Sequence, residues 1–293
     1  MTELRSDLRD KILNMELLPN QAALFYIGQV GFIIKYQNTY TMIDGYLSDY
    51  VDKNCSSDLV RWKRLYPAPI QAENLDFLDF IFCTHAHFDH ADPWTIRKIA
   101  EVNHKAIFIG PSSVCSVYSD CGVPAKQILQ PVIDSPTVLD PGHKISFTMI
   151  PAAHEELHPD QQGGFAEVGY RISFGHATIY HSGDCCPYDG LESRIMNCDA
   201  LILPVNGRDY PCRRHACWHA YPRALGPVPR ERDQPGNLCG SCPPPASGTF
   251  FSHLCSRRRL HIISLIVMMQ SPDSLKIHLI RRSQVFTFSF HVG

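Results

Sequence analysis

The chain has 293 residues, of which 44% are hydrophobic, and it carries a formal net charge of −2. That length and apolar content suit one large or two small α/β domains with a sizeable core. The longest apolar run, residues 262–269, is far shorter than the roughly 18 residues of a membrane helix, and the balanced charge does not favour a nucleic-acid partner. We therefore expect a soluble, cytoplasmic protein without a membrane-spanning segment, with its oligomeric state left open.

The first predicted element is an amphipathic surface helix. Residues 1–15 alternate charged side chains with Leu and Ile, and they lack the unbroken apolar core of a signal peptide. Further along the chain, residues 77–83 are almost all apolar and predict a buried β-strand. This strand leads directly into the most informative stretch of the sequence.

That stretch runs from Thr84 to Asp92 and places three imidazoles and two carboxylates within eight residues. Nitrogen and oxygen donors from one short loop are the ligands that borderline divalent cations prefer. Histidine makes up only 15 of the 293 residues, so a metal site is favoured over a polar loop that is rich in histidine by chance. The five side chains are His85, His87, Asp89, His90 and Asp92.

A helix start is predicted immediately after this loop. Asp92 has the character of an N-cap, Pro93 suits the first helical turn, and residues 94–100 continue the helix. A strand, a ligand loop and a helix in succession form an α/β unit. The loop should therefore be held at both ends before any metal binds.

The loop and three single residues together resemble a known family. The run from His85 to His90 reads HAHFDH and resembles the HxHxDH signature of the metallo-β-lactamase-fold hydrolases. Asp44 resembles the aspartate that ends an early strand in that family. His154, which follows the apolar stretch at 145–150, resembles the third histidine ligand, and Asp184 resembles the bridging carboxylate.

This resemblance extends over residues 20–210. The segments IGQVGF at 27–32 and YHSGD at 180–184 are most similar to the L-ascorbate 6-phosphate lactonase-like branch of the family. The resemblance implies an α/β sandwich in which two mixed sheets face each other, with helices outside and the metal loops at one edge. It also implies hydrolysis of a small phosphorylated lactone or a similar anionic ester.

Two sites for a divalent metal are implied by the same resemblance, with Zn²⁺ as the expected ion and Mn²⁺ as the alternative. In the family a final histidine completes the second site, but no histidine after Tyr210 ends a convincing strand. We therefore expect one whole site and a second, incomplete one that binds metal weakly. The first would use His85, His87, His154 and Asp184, and the second Asp89, His90 and the shared Asp184.

Four residues near these sites have expected roles of their own. By resemblance, Asp184 bridges the metals, and Asp89 is expected to take up the proton of the attacking water. Asp44 is expected to orient a ligand histidine without touching metal, or alternatively to be a turn carboxylate at a strand end. His181 follows the predicted strand at 178–180, so we expect it to support the site from behind or to lie in the core.

The recognisable part ends with residues 201–210, which are predicted to form a strand followed by a polar loop that contains glycine. Arg208 and Tyr210 on this loop are the candidate substrate contacts. A guanidinium can bind a phosphate or carboxylate through two parallel hydrogen bonds. The alternative is a surface loop in which Arg208 pairs with Asp209.

The charge balance changes abruptly after Tyr210. Residues 1–210 carry a net charge of −10, whereas residues 211–293 carry +8, and ten of the eleven basic residues in the second part are arginine. We therefore divide the chain into a hydrolase domain at 1–210 and a basic tail, expected to be poorly ordered, at 211–293. The tail could be a nucleic-acid-binding arm, a disordered extension, or out-of-frame or alternatively spliced sequence, which we favour.

Three functions follow from these alternatives. The first is a metal-dependent hydrolase that acts on a small anionic lactone or ester. The second is a phosphodiesterase or nuclease of the same fold, but the acidic catalytic part and the lack of aromatic residues among the tail arginines argue against it. The third is an inactive, truncated or alternative isoform that keeps the metal loop. The sequence favours the first.

Overall fold

Two mixed β-sheets lie face to face in the computed structural model, which describes residues 3–18, 21–57, 59, 61–64, 66–204, 275–281 and 284–290. The first sheet is antiparallel through three strands and then parallel through three more. In spatial order its strands are β1 (Ala22–Gly28), β2 (Gly31–Tyr36), β3 (Thr39–Ile43), β4 (Phe80–Phe82), β5 (Ile107–Ile109) and β6 (Ile128–Leu129).

The second sheet has five strands, and only the pair at one edge runs parallel. The strands predicted at 145–150, at 178–180 and at the start of 201–210 all lie in this sheet and are confirmed. In spatial order the strands are β11 (Ala200–Ile202), β10 (Ala177–His181), β9 (Val168–Phe174), β8 (Ile145–Pro151) and β7 (Pro136–Asp140).

Apolar side chains from both sheets fill the space between them. The ring of Phe82 on β4 packs edge-on against Phe147 on β8 and Tyr170 on β9, with centroids 5.0 and 4.9 Å apart. Strand β1 is buried on both faces, because one face meets this core and the other meets a helical layer. A strand in that position reads as a continuous apolar run, as the sequence AALFYIG does.

Helices cover the outer faces of both sheets. Ile12, Ile99 and Tyr118, from three different helices, are buried in the layer outside the first sheet, and Leu191 is buried outside the second. The predicted α/β sandwich with helices outside is therefore confirmed. The helices are α1 (Glu3–Asn14), α2 (Tyr50–Asn54), α3 (Pro93–Val102), α4 (Ser112–Asp120) and α5 (Leu191–Ile195).

The strand predicted at 77–83 is shorter than expected and begins only at Phe80. The preceding carbonyl groups are engaged elsewhere: the side-chain amide of Asn103 donates hydrogen bonds to the backbone oxygens of Leu75 (3.1 Å) and Leu78 (2.9 Å). Those carbonyls therefore do not join a strand ladder, and the apolar side chain of Leu78 is buried in the helical layer instead.

The predicted N-terminal helix is confirmed as α1, and a buried lysine ties it to the first sheet. Leu8 and Ile12 on this helix are fully buried. Lys35 on β2 is also buried, and its ammonium donates to the carbonyls of Ile12 at 2.9 Å and Leu13 at 2.7 Å. A cation at the C-terminal end of a helix satisfies carbonyls that have no partner within the helix.

Replacing Lys35 with Met is expected to lower the free energy of unfolding by about 1–3 kcal/mol, because two carbonyls lose charged hydrogen bonds while most side-chain volume is kept. Urea unfolding followed by circular dichroism measures the change. Lys105→Met is the matched control, since Lys105 pairs with Asp79 at the surface, where an ion pair contributes less than about 1 kcal/mol. Unfolding midpoints that coincide for the Lys35 variant and the wild type would contradict this account.

Little of the C-terminal part falls within the described residues. Its two described segments, β12 (Leu275–Arg281) and β13 (Gln284–Phe290), pair as an antiparallel hairpin. The division at residue 211 stays a prediction, and the candidate substrate contacts Arg208 and Tyr210 lie outside the described residues. In the described part of the chain, no helix has the length and apolar character to span a membrane.

Candidate metal centre

The predicted ligand loop connects the C-terminal end of β4 to α3. The backbone amides of His90 and Ala91 both donate to the carbonyl of His87, at 3.0 and 2.8 Å, which folds the loop into a tight turn. The predicted N-cap is confirmed, because the side chain of Asp92 accepts a hydrogen bond from the amide of Trp94 at 3.0 Å. The loop is thus held by a core strand on one side and a capped helix on the other.

Two other loops bring His154 and Asp184 to the same place. Ala153 and Cys186 form an isolated antiparallel bridge, in which the Cys186 amide donates to the Ala153 carbonyl at 2.6 Å. Ala153 directly precedes His154, and Cys186 lies two residues after Asp184, so the bridge brings these two side chains close to each other. The loops therefore converge although more than sixty residues separate His90 from His154 in the chain.

A glycine permits the loop of Asp184 to approach the ligand loop closely. Gly183 has φ of +56°, a conformation that favours glycine, and a Cβ atom there would lie only 2.7 Å from Oγ1 of Thr84. Any larger residue at position 183 would have to push the two loops apart. Glycine at position 183 of the YHSGD segment is therefore required by the packing.

The candidate ligands form two overlapping groups of donor atoms. Within each group the donor atoms all lie within 4.8 Å of one another. Oδ2 of Asp184 is 3.5 Å from Nε2 of His90 and 3.6 Å from Nε2 of His154, and Nε2 of His85 is 2.9 Å from Nδ1 of His87. One group is His85, His87 and His154, and the other is His85, His90 and Asp184.

These separations fit a divalent cation. Two donors bonded at about 2.1 Å to one tetrahedral ion lie roughly 3.4 Å apart, which is close to the distances from Asp184 to His90 and His154. Imidazole nitrogens with a shared carboxylate are also the donor set that Zn²⁺ and related ions take. The described residues therefore supply a suitable divalent-metal site.

The protonation states at the site favour metal binding as well. Burial lowers the pKa of His85 well below its ordinary value, and burial also lowers the pKa of His87. Burial opposes ionisation of Asp184, but the neighbouring His90 outweighs it and holds the pKa of that carboxyl below its usual range. At neutral pH the two imidazoles are then neutral and the carboxyl is ionised, which are the forms that bind metal.

Asp44 contacts a candidate ligand from behind. The residue has φ of 47°, and its side chain is fully buried after β3. Its Oδ1 accepts a hydrogen bond from the amide of Thr84 at 2.8 Å, and its Oδ2 lies 2.9 Å from Nδ1 of His90. An ionised carboxylate can only accept, so Nδ1 of His90 donates to it, and Nε2 is the nitrogen that faces Asp184 and is placed to bind metal.

The charges of Asp44 and His90 stabilise each other, so a metal ion would have to displace a second proton from Nε2 of His90 when it binds. Burial alone would oppose ionisation of both groups, but Asp44 raises the pKa of His90 well above its ordinary value, and His90 keeps the pKa of Asp44 lowered. The hydroxyl of Thr84 adds a further hydrogen bond to Oδ2 of Asp44 at 2.8 Å, and it lies 3.0 Å from Nδ1 of His85. The contact predicted for Asp44 is therefore present, and its role toward metal stays a prediction.

His181 takes no part in either donor group. Its Nε2 donates to the carbonyl of Val30 at 2.9 Å, and its Nδ1 accepts from the amide of Gly183 at 3.1 Å. With both ring nitrogens engaged in the interior, this histidine is placed to hold the turn between β1 and β2 against the loop of Asp184. The geometry agrees with a supporting position.

Asp89 lies outside both donor groups but beside them. Its Oδ2 is 3.9 Å from Nε2 of His90 and accepts a hydrogen bond from Nε2 of Gln29 at 3.1 Å. Gln29 sits at the turn after β1 with φ of 55°, and its carbonyl accepts from the hydroxyl of Tyr26 at 2.9 Å. A firmly held turn thus presents an amide to the Asp89 carboxylate.

Sequence reasoning did not identify Gln29 or Thr84 as site residues. Thr84 directly precedes the first histidine of the loop, and a hydroxyl in that position could have been noticed. Gln29 lies in the segment at 27–32, which entered the sequence analysis only through its resemblance to the lactonase-like branch. The signal that could have identified it is a polar residue near two glycines, between two apolar strands. Neither residue type by itself points to metal chemistry.

An open cleft of about 510 Å³ lies above the donor atoms. His87, Asp89, His154 and Asp184 form part of its lining, and Gln29 also reaches it. Cavities of roughly 300–1,000 Å³ are of the size that binds small molecules. The candidate metal ligands are therefore accessible to a small molecule from solvent.

Residues 53–225 match the family described as "Beta-lactamase superfamily domain". The match spans more than half of the chain and includes the HAHFDH loop together with His154 and Asp184. The chain belongs to this superfamily. Membership confirms the resemblance at the level of the superfamily and of its fold, and it does not distinguish the lactonase-like branch from others.

The chain is also similar to individual proteins and solved structures. A protein of Caldivirga maquilingensis named as a UPF0173 metal-dependent hydrolase is 28% identical over 166 residues, which is 55% of this chain and 68% of that protein. An uncharacterized protein of Mycobacterium tuberculosis is 31% identical over 116 residues, and the chain spans only 30% of its length. A solved structure, described as a possible metal-dependent hydrolase from Veillonella parvula, is 13% identical with a TM-score of 0.48 over 62% of this chain and 70% of that one.

Replacing Gln29 with Ala is expected to weaken binding of the second metal equivalent about tenfold, because Asp89 loses the hydrogen bond that orients it. Titration of the metal-free protein with Zn²⁺ against a competing chelator measures the affinity of each equivalent. Gln130→Ala is the matched control, since the amide of Gln130 bonds only to Gln162 at the surface in the described part of the chain. Titration curves that superimpose for Gln29→Ala and the wild type would exclude this role.

Proposed function

We propose that this chain is a metal-dependent hydrolase that acts on a small anionic ester or lactone. The observation that carries the proposal is the pair of overlapping donor groups, three imidazoles in one and two imidazoles with a carboxylate in the other, at the base of a cleft open to solvent. The Caldivirga relative, named a metal-dependent hydrolase, is consistent with this activity.

A bound divalent cation would supply an acidified water near neutral pH and polarise the substrate carbonyl. The side chains supply the rest. Asp89 has a partly exposed carboxylate within the cleft, so it can accept the proton that the attacking water loses. Oδ2 of Asp184 contacts the imidazoles of His90 and His154 and holds them in place. Asp44 and Thr84 keep a proton on Nδ1 of His90, so that this histidine would bind metal through Nε2.

The finer parts of the proposal rest on donor chemistry and resemblance. Zn²⁺ is the proposed ion because nitrogen donors predominate, and Mn²⁺ is the alternative because carboxylates also take part. The L-ascorbate 6-phosphate lactonase-like branch, and with it a phosphorylated lactone, is proposed from the YHSGD segment and the turn that contains Gln29. Arg208 and Tyr210 remain proposed contacts of the substrate anion, and residues 1–210 the proposed hydrolase domain.

The test is hydrolysis by the full-length, metal-loaded protein of a panel that contains aryl carboxylic esters, small lactones and an aryl phosphodiester. We expect hydrolysis of the esters or lactones, loss of that activity with a chelator, and recovery when Zn²⁺ or Mn²⁺ is returned. A preference for the phosphodiester would favour the phosphodiesterase alternative. Activity that survives complete removal of metal would refute the proposal.

A further inference from the structure

One wall of the cleft comes from a segment that sequence analysis left without a role. Trp62, Lys63 and Arg64 line the same cleft as the candidate ligands His87 and Asp184. The segment lies between α2 and β4, far from the metal-binding motifs in sequence, and none of its residue types is a usual metal ligand. A side chain that lines the cleft without binding metal is placed to contact whatever the cleft holds.

The apolar part of this lining is unusually exposed for aromatic side chains. Trp62 is 43% exposed and Phe88 is 41% exposed, and both face the cleft. Phe88 is held in place, because its ring packs on Tyr50 at 4.9 Å and Tyr50 packs edge-on against Trp94 at 5.3 Å. Large apolar surface that is kept rigid and open to solvent marks a binding surface for an apolar group.

Arg64 is a positively charged residue of this wall whose side chain is held in one position. Its side chain is only 9% exposed, and its guanidinium donates to the carbonyls of Tyr46 at 2.6 Å and Ser48 at 3.1 Å while stacking over the ring of Tyr46. Its Nε is buried without a hydrogen-bond acceptor among the residues that the structure describes. These contacts anchor the segment and place a positive charge behind the wall.

Two carboxylates, those of Asp52 and Asp49, lie close to Arg64. Asp52, which also lines the cleft, accepts hydrogen bonds from the Arg64 amide at 2.7 Å and from the Tyr46 hydroxyl at 3.3 Å. Asp49 lies 4.0 Å from Nε of Arg64. Lys63 is exposed, and the structure records no hydrogen bond or ion pair between it and another described residue. Its ammonium is thus the cation of this wall available to a ligand.

We propose that the cleft selects an amphiphilic anion: a substrate whose apolar or aromatic part packs against Trp62 and Phe88 and whose carboxylate or phosphate group pairs with Lys63. This inference rests on the proposed function and narrows its substrate class. It assigns the anion contact to a residue of the described structure, in addition to the contact proposed for Arg208. Hydrolysis would take place at the base of the cleft, where Asp89 and Asp184 lie.

The test compares para-nitrophenyl esters of acetate, succinate, phosphonoacetate and betaine as substrates of the full-length, metal-loaded protein. The first acyl group is neutral, the second and third carry a carboxylate and a phosphonate, and the last carries a cation. We expect the anionic esters to have the lowest KM. Lys63→Gln should raise that KM about tenfold or more with kcat little changed, and should leave the acetate ester unaffected.

Reversing the charge of Lys63 distinguishes a role in recognising the substrate anion from a role in stabilising the fold. Lys63→Glu is expected to shift the preference toward the betaine ester, a result that a purely structural role for Lys63 would not produce. Lys126→Gln is the matched control, since Lys126 is exposed and lies outside the cleft. If the wild type cleaves acetate and anionic esters equally, or if the Lys63 variants keep its preference, the inference is wrong while the hydrolase function stands.

A binding measurement keeps the inference testable if no ester is cleaved. Calorimetric titration of the metal-loaded protein with phenylacetate and with uncharged phenylacetamide should show binding of the anion only, weakened about tenfold by Lys63→Gln. Such a result without any hydrolysis would refute the proposed function and leave the anion site in place. Absence of binding, or binding that does not depend on Lys63, would overturn the inference.

Discussion

Full-length protein loaded with Zn²⁺ or Mn²⁺ and dialysed is expected to retain about one metal equivalent, and the His87→Ala variant almost none. His85, His87 and His154 supply three nitrogen donors to one ion. His85 also belongs to the second donor group, and each side chain offers one ligand atom. When the first ion holds His85, the second is left with His90 and Asp184, with Asp89 nearby, and should dissociate during dialysis.

The size of the His87 effect follows from the free energy per ligand. Binding of a structural Zn²⁺ by four ligands is worth about 10–16 kcal/mol, so one ligand contributes on the order of 3 kcal/mol, roughly a hundredfold in the dissociation constant. Elemental analysis of the dialysed proteins measures the content, with His104→Ala as the control because His104 lies outside both donor groups. Two firmly held equivalents in the wild type would show that the second group is complete, and none would remove the basis for a metal centre.

Asp44→Asn is expected to abolish ligation by His90 with little change in the shape of the site. The amide of Thr84 donates to Oδ1, so the oxygen of the new side-chain amide must take that position and its NH₂ group must face Nδ1 of His90. Nδ1 would then have to accept a hydrogen bond, which moves the imidazole proton to Nε2, the atom that faces Asp184. A protonated Nε2 cannot bind metal.

The expected result is a fall of about a hundredfold in affinity for the ion that His90 binds, and a comparable loss of hydrolysis. Asp44→Ala should instead destabilise the fold by about 3–5 kcal/mol, since it leaves a buried imidazole without its partner. Asp92→Asn is the matched control: Asp92 is also fully buried, but it caps α3 and belongs to neither donor group. Wild-type metal affinity in Asp44→Asn would show that Asp44 does not set the tautomer of His90.

The parts of this protein that could be predicted from the sequence are local. The ligand loop at 85–90 and the cap at Asp92 depend on residues within one short segment, so both could be predicted without knowledge of the fold. The strands β8 and β10 were recognisable because their apolar runs are flanked by polar residues. The converging positions of His154 and Asp184 were expected only by resemblance, because the sequence around each of these residues does not by itself indicate a metal ligand.

Other parts could not be predicted, because they depend on distant partners. The strand predicted at 77–83 begins three residues later than expected, since the side chain of Asn103 binds the carbonyl of Leu78. Gln29 acquires its importance from Asp89, sixty residues away. Trp62 and Lys63 acquire theirs from lining the same cleft as the metal loop. In each case the role of the residue depends on a contact with a distant part of the chain, which the neighbouring sequence does not indicate.

The sequence by itself determined the fold class and the chemistry of the donors. Apolar segments predict individual buried strands, the resemblance to the metallo-β-lactamase-fold hydrolases implies the two-sheet sandwich, and the HAHFDH loop carries the donor types that a divalent cation requires. Only the tertiary structure decided how those donors are grouped, that His85 is shared between the groups, and which side chains complete the cleft. The type of donor atom is a property of a single residue. The sharing of His85, the orientation of the donors and their access to solvent depend on distances that exist only after the sheets and loops have packed.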